Sequence, residues 1–117
     1  MKKIILVEDD ESISDAFSMA FEAPEYKVTW YDSGYNLLKN DYELPDLFIL
    51  DRQLPGVDGL DICRHLKRSQ QSKNIPVVMI SASLNIIALS KRAGADDVLL
   101  KPYRLAVLRA MVHKYTN

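Results

Sequence analysis

The stretch Ile4-Ile5-Leu6-Val7-Glu8-Asp9-Asp10-Glu11 decides the fold. Four apolar residues give way to four acids, and apolar positions resume at Ile13, Ala16, Phe17, Ala20 and Phe21. The first run is too short for a helix and reads as a strand, whereas the i, i+3, i+4, i+7, i+8 spacing of the second set lines one face of a helix. The same alternation continues along the chain. Val28 to Trp30, Leu47 to Leu50, Val77 to Ile80 and Val98 to Leu100 read as further strands. Tyr35, Leu37 and Leu38 mark a helix between the second and third strands. Leu60, Ile62, Cys63 and Leu66 mark one that begins after Asp58-Gly59. Ile86, Leu89 and Ala93 mark one that ends at Gly94, a suitable C-cap, and Leu105, Leu108 and Val112 mark a last one that begins near Tyr103.

Five strands alternating with five helices predict an α/β fold, a doubly wound parallel sheet covered on both faces, because parallel neighbours need a crossover and the crossovers are right-handed. The near-continuous apolar strands fit burial on both faces. Alternation alone leaves the strand order open. The 117 residues fit one domain, 1–117, without repeat or linker.

Composition narrows the function. Fifteen Lys and Arg against sixteen Asp and Glu give a formal charge of −1, with no basic excess to neutralise phosphates, so no direct nucleic-acid ligand is expected. Cys63 is the only cysteine, which excludes an intrachain disulfide and a thiolate metal cluster. The apolar run after Lys2-Lys3 ends too soon for a signal peptide, and no run approaches the roughly 20 residues of a membrane span. A cytoplasmic protein without membrane partners is expected.

In an open parallel sheet the ligand site lies beyond the carboxyl ends of the strands. Glu8, Asp9 and Asp10 follow the first strand, Asp51 ends the third, Ser81 ends the fourth, and Lys101-Pro102 follows the fifth. Clustered carboxylates repel one another, and a hard ion such as Mg²⁺ relieves that repulsion. A carboxylate beside such an ion can attack phosphorus, provided Lys101 and Ser81 meet the charge that grows on the phosphoryl oxygens. Asp10 is open between a metal role and capping the first helix.

These residues fall in four motifs: Ile5-Leu6-Val7-Glu8-Asp9-Asp10, Asp51-Arg52-Gln53-Leu54-Pro55-Gly56-Val57-Asp58-Gly59, Ser81-Ala82-Ser83, and Gly94-Ala95-Asp96-Asp97-Val98-Leu99-Leu100-Lys101-Pro102-Tyr103. In that order they make the whole chain resemble the receiver domains of two-component response regulators, typified by the chemotaxis response regulator. The resemblance implies a flavodoxin-like sheet in the order 2-1-3-4-5. It implies that Asp51 accepts a phosphoryl group from a phosphohistidine on a sensor histidine kinase or phosphotransfer protein. It gives Asp9 as principal Mg²⁺ ligand, Glu8 as the second acid acting through water, and the Gln53 backbone carbonyl as a further ligand. Ser81 and Lys101 become the phosphoryl-contacting pair, with a cis bond between Lys101 and Pro102. The chain would then signal through protein contacts to an unknown target, catalysing only its own phosphorylation and dephosphorylation. Gln53 and Ser83, each two positions beyond a site residue, would set the lifetime of the phosphorylated state.

Val98 stands where many receivers carry Tyr or Phe, which makes a phosphorylation-independent adaptor the alternative. A haloacid-dehalogenase-like phosphatase would need an acid where Gln53 stands, and a flavin phosphate would be repelled by Glu8 to Glu11. His65 and His113 read as surface residues, Cys63 as a small core residue on the Leu60–Leu66 stripe, Trp30 as packing at the end of the second strand, and Lys91-Arg92 as a solvated helix end.

Overall fold

A computed structural model describes the whole chain, residues 1–117. The period-two alternation inside each apolar run divides its side chains between two layers. Strand β1 (Lys2–Val7) sends Ile5 and Val7 to one core and Ile4 and Leu6 to the other. Strand β3 (Leu47–Asp51) does the same with Phe48 and Leu50 against Leu47 and Ile49, and β4 (Val77–Ser81) with Val77 and Met79 against Val78 and Ile80. Every residue of β3 and β4 is buried, as both faces of a parallel sheet require.

Helices α2 (Tyr35–Leu38), α3 (Gly59–Arg68) and α4 (Ile86–Ala93) cover the first core, contributing Leu37, Leu60, Ile62, Cys63, Leu66, Ile86 and Ala93. Helices α1 (Glu11–Ala20) and α5 (Leu105–Thr116) cover the second, through Phe17, Leu108 and Val112, with Phe21 just beyond α1. With β2 (Tyr26–Tyr31) and β5 (Asp97–Leu100), the five strands form one parallel sheet in the order β2-β1-β3-β4-β5. That is the flavodoxin-like order the resemblance implied. It places a change of winding direction at β1 and β3, where such folds bind ligands.

The register aligns the strand ends. Val7 lies opposite Leu50, Asp51 opposite Ile80, and Ser81 opposite Leu100, so Glu8 and Lys101, each one residue past its strand, emerge at the same edge. Local chemistry fixes the turns around that edge. Asp10 caps α1, its Oδ1 accepting from the Ser12 amide at 2.9 Å and the Ser12 hydroxyl at 2.6 Å, and Asp58 caps α3 through the Leu60 amide at 2.9 Å. Gly94 ends α4 at φ 93°, a left-handed conformation that glycine adopts without penalty. The Lys101–Pro102 bond is cis. Helix α5 begins at Leu105 rather than near Tyr103, because Arg104 has extended backbone at φ −84° and ψ 145°. Strand β2 extends past the apolar core Val28–Trp30 on both sides because it pairs with β1 from Tyr26 to Tyr31; as the sheet's edge it tolerates exposed Lys27.

Candidate functional site

Asp51 ends β3 with its carboxylate buried, and its two oxygens have different partners. Oδ1 accepts from the Gln53 amide at 3.0 Å, an Asx-type turn that starts the loop to α3. Oδ2 accepts from the Lys101 ammonium at 2.6 Å. The same ammonium lies 3.8 Å from Glu8 Oε1, so one cation serves two carboxyl groups. Gly59 lets the start of α3 lie against the end of β3. Its amide donates to the Arg52 carbonyl at 2.9 Å, and a Cβ at this position would collide with the Asp51 carbonyl oxygen.

The electrostatics follow from that shortage of cations. Glu8 is 3% exposed. Burial, then its hydrogen bond to Asp51 and the Asp51 charge, push the Glu8 carboxyl up to about 7, although Lys101 pulls the other way. Burial draws the Lys101 ammonium down, but the bond to Asp51 and the charges of Asp51 and Glu8 outweigh it and raise its pKa. Burial also raises the neighbouring Tyr103 hydroxyl. Two buried carboxyls therefore face a single ammonium, one positive charge short of balance. An oxygen-ligated hard divalent cation at this point would supply it, so the donor set fits Mg²⁺.

The first acidic pair divides unequally. Glu8 is folded inward against Asp51 and Lys101, while Asp9 is exposed on the wall of the largest cleft, about 760 Å³, with Arg52, Gln53, Asp58 and Ser83. The Asp10 carboxylate is engaged by Ser12, which answers the question left open for it in favour of the helix cap. No three His, Cys, Asp or Glu side chains come together closely enough to hold an ion by themselves. The expected carboxylates Glu8, Asp9 and Asp51 are therefore not gathered as one set here: Glu8 and Asp51 meet at Lys101, while Asp9 faces the cleft. Ser81 is buried at the end of β4, and its Oγ accepts from the Ser83 amide at 3.1 Å, which leaves its proton free to donate elsewhere.

Other residues fall outside the site. His65 bonds Asn40 and His113 bonds Asn117, both on the surface. Cys63 is fully buried, and burial pushes its thiol up to about 11, so it is a core residue of the expected kind. Lys91 and Arg92 are exposed in the last turn of α4. Ile86, on the apolar stripe of α4, is in the core, while Ile87 beside it is exposed. Sequence reasoning missed two contacts. The Trp30 indole, half-exposed at the end of β2, donates to the Glu8 carbonyl at 2.6 Å, and Arg52 Nη1 donates to Asn85 Oδ1 at 3.0 Å. The parallel pairing of Leu6 with Trp30 could have signalled the first once the strand order was known. Nothing local signals the second.

Comparison with known proteins agrees with this fold. The family model for the response regulator receiver domain matches residues 4–113. The transcriptional regulatory protein CseB of Streptomyces coelicolor is 37% identical over 112 residues, which span 93% of this chain and 47% of that protein. The phosphate regulon transcriptional regulatory protein PhoB of Rhizobium meliloti is 34% identical over 117 residues, 96% of this chain and 51% of that one. The chain thus spans about half the length of these curated relatives. Among solved structures, a putative response regulator from Chloroflexus aurantiacus superimposes with a TM-score of 0.88 at 30% identity, covering 98% of this chain and 97% of that one. The receiver domain of a Pseudomonas aeruginosa sensor histidine kinase, crystallised with a magnesium ion in its active-site cleft, shares the fold with a TM-score of 0.87 at 22% identity, covering 98% and 97%.

Proposed function

The chain belongs to the receiver domains of response regulators, which act in two-component signalling, and we propose that it is a switch set by phosphorylation of Asp51. The observation that carries the reading is the buried Asp51 carboxylate held by Lys101 at 2.6 Å, with the Glu8 carboxyl 3.8 Å from the same ammonium. That arrangement resembles a phosphoryl site waiting for its charge balance. An Asp51 oxygen attacks the phosphorus of a phosphohistidine on a sensor histidine kinase or phosphotransfer protein. The O–P bond forms as the P–N bond breaks, and the bonding pair returns to the imidazole nitrogen. The Lys101 ammonium, already placed at the carboxylate, moves to the phosphoryl oxygens as negative charge accumulates there, and the Ser81 hydroxyl donates to one of them.

Asp9, Glu8, Asp51 and the Gln53 carbonyl would hold Mg²⁺, which supplies charge neutralisation for the transferred group. Phosphorylation turns the singly charged Asp51 carboxylate into a doubly charged acyl phosphate, a net gain of about one negative charge beside buried Glu8, and so biases the loops that carry Ser81 and Lys101. Gln53 and Ser83 line the cleft from its two sides and set the access of water to the phosphoryl group.

The chain would work in the cytoplasm, where sensor kinases present their phosphohistidine; no helix is long and apolar enough to cross a membrane. Its output is contact with a downstream protein. In a longer product of the kind CseB and PhoB represent, DNA contact would fall to the other half, since this stretch carries a formal charge of −1. The adaptor alternative has Val98 in its favour, because a half-buried valine packed on the first core cannot swing as an aromatic ring would. Incubation with acetyl phosphate separates the two readings. A switch gains the mass of one phosphoryl group in Mg²⁺ and not in EDTA, and Asp51→Asn gains none; an adaptor shows no Asp51-dependent gain in either buffer.

A further inference from the structure

Two loops face each other across the cleft, and a polar strap ties them together. The side-chain oxygen of Asn85 accepts from Arg52 Nη1 at 3.0 Å and from the Ser83 hydroxyl at 2.6 Å. Arg52 follows Asp51 directly, and its Nε is 3.7 Å from Asp58 Oδ2 on the same loop. On the far side the Ser83 amide donates to Ser81 Oγ at 3.1 Å. One chain of hydrogen bonds therefore starts beside Asp51 and ends on the Ser81 hydroxyl.

The position of Asn85 shows that this is a choice made by tertiary structure. Asn85 immediately precedes α4, where its side-chain oxygen would ordinarily accept from amides of the first turn, yet it makes no such bond. The oxygen is turned instead to a guanidinium 33 residues away. The Arg52 side chain is only 23% exposed and lines the cleft together with Ser83, so it is held in place across the opening. Arginine suits the task, because its planar fork can grip the Asn85 and Asp58 oxygens at once.

We infer that Arg52 is a positioning residue that sets the lifetime of the phosphorylated state. Through Asn85 it closes one side of the cleft and steadies Ser83 and Ser81, so that water reaches the phosphoryl group slowly. Arg52 acts through its neighbours and takes no part in the bond changes. The inference rests on Asp51 being the acceptor, and it assigns to the pair Arg52 and Asn85 a share of the control otherwise given to Gln53 and Ser83.

The test loads the wild-type chain, Arg52→Ala, Asn85→Ala, the double variant and Arg52→Lys with acetyl phosphate and Mg²⁺. The donor is then removed and loss of the phosphoryl mass is followed over time, with urea midpoints checking that each variant is folded. Each single alanine variant should shorten the half-life by about threefold or more, and the double variant should be no faster than the faster single, because both break one strap. Arg52→Lys keeps a donor and should recover much of the lifetime, which a purely structural role would not produce. Half-lives unchanged from wild type, or effects that multiply in the double variant, would overturn the strap while leaving Asp51 as the acceptor. A wild type that takes up no phosphoryl group overturns the acceptor reading, and the strap falls with it.

Discussion

Replacing Glu8 with Gln tests the electrostatics of the site in the metal-free protein. The folded state holds the Glu8 proton up to about pH 7, against an ordinary value of 4.5. Between those values the folded protein binds more protons than the unfolded chain, so the stability contributed by this group is complete below pH 4.5 and is lost as pH rises through about 7. At about 1.4 kcal/mol per pKa unit the whole effect is about 3 kcal/mol, most of it between pH 5 and pH 8. Glu8 is almost fully buried, so solvent screening removes little of this. Glu8→Gln keeps the shape and removes the charge. Urea unfolding in EDTA at pH 5 and pH 8 should show wild type losing about 2–3 kcal/mol more than Glu8→Gln over that interval, a relative shift in midpoint of about 1–2 M. Glu8→Gln should be the more stable protein at pH 8. Parallel pH profiles for the two proteins would refute the reasoning that burial beside Asp51 raises the Glu8 carboxyl.

Gly59→Ala should destabilise the fold by about 1–3 kcal/mol in urea unfolding, because the new methyl group meets the Asp51 carbonyl and the strand end must shift. Cys63 should not react with a thiol reagent at pH 8 in the native protein and should react fully in denaturant, because the thiol is fully buried and its pKa is pushed up to about 11. Asp10→Ala should lower stability by about 1 kcal/mol through loss of the α1 cap, while phosphorylation by acetyl phosphate continues; loss of phosphorylation in a folded variant would return Asp10 to the metal site.

The sequence carried the fold because its signals were local and agreed with one another. Each apolar run has the length of a strand, all but the second give way directly to a polar residue, and Asp58, Gly59 and Gly94 stand where helices must start or stop. The weakest signals gave the least accurate limits. Edge strand β2 has Lys27 and Thr29 within it, so its ends are defined only by pairing with β1. The alternation was silent on strand order, which came from the family resemblance. Within the site, sequence position put Asp51, Ser81 and Lys101 at one sheet edge, and the register does bring those positions there. It could not say that Glu8 turns into the protein while Asp9 faces the cleft, since adjacent acids after a strand differ only in which face the backbone gives them. The Arg52–Asn85 bond and the Trp30–Glu8 bond join residues 33 and 22 positions apart, and side chains that meet only through tertiary packing leave no periodic trace.

The most direct test of Asp51 as acceptor is chemical mapping of the modified residue. Wild-type protein is loaded with acetyl phosphate and Mg²⁺, reduced with borohydride, which converts an aspartyl phosphate to homoserine, and digested for tandem mass spectrometry. Homoserine at position 51, and at no other aspartate, is the predicted result. Unreduced Asp51, or homoserine at Asp9 or Asp10 instead, would contradict it.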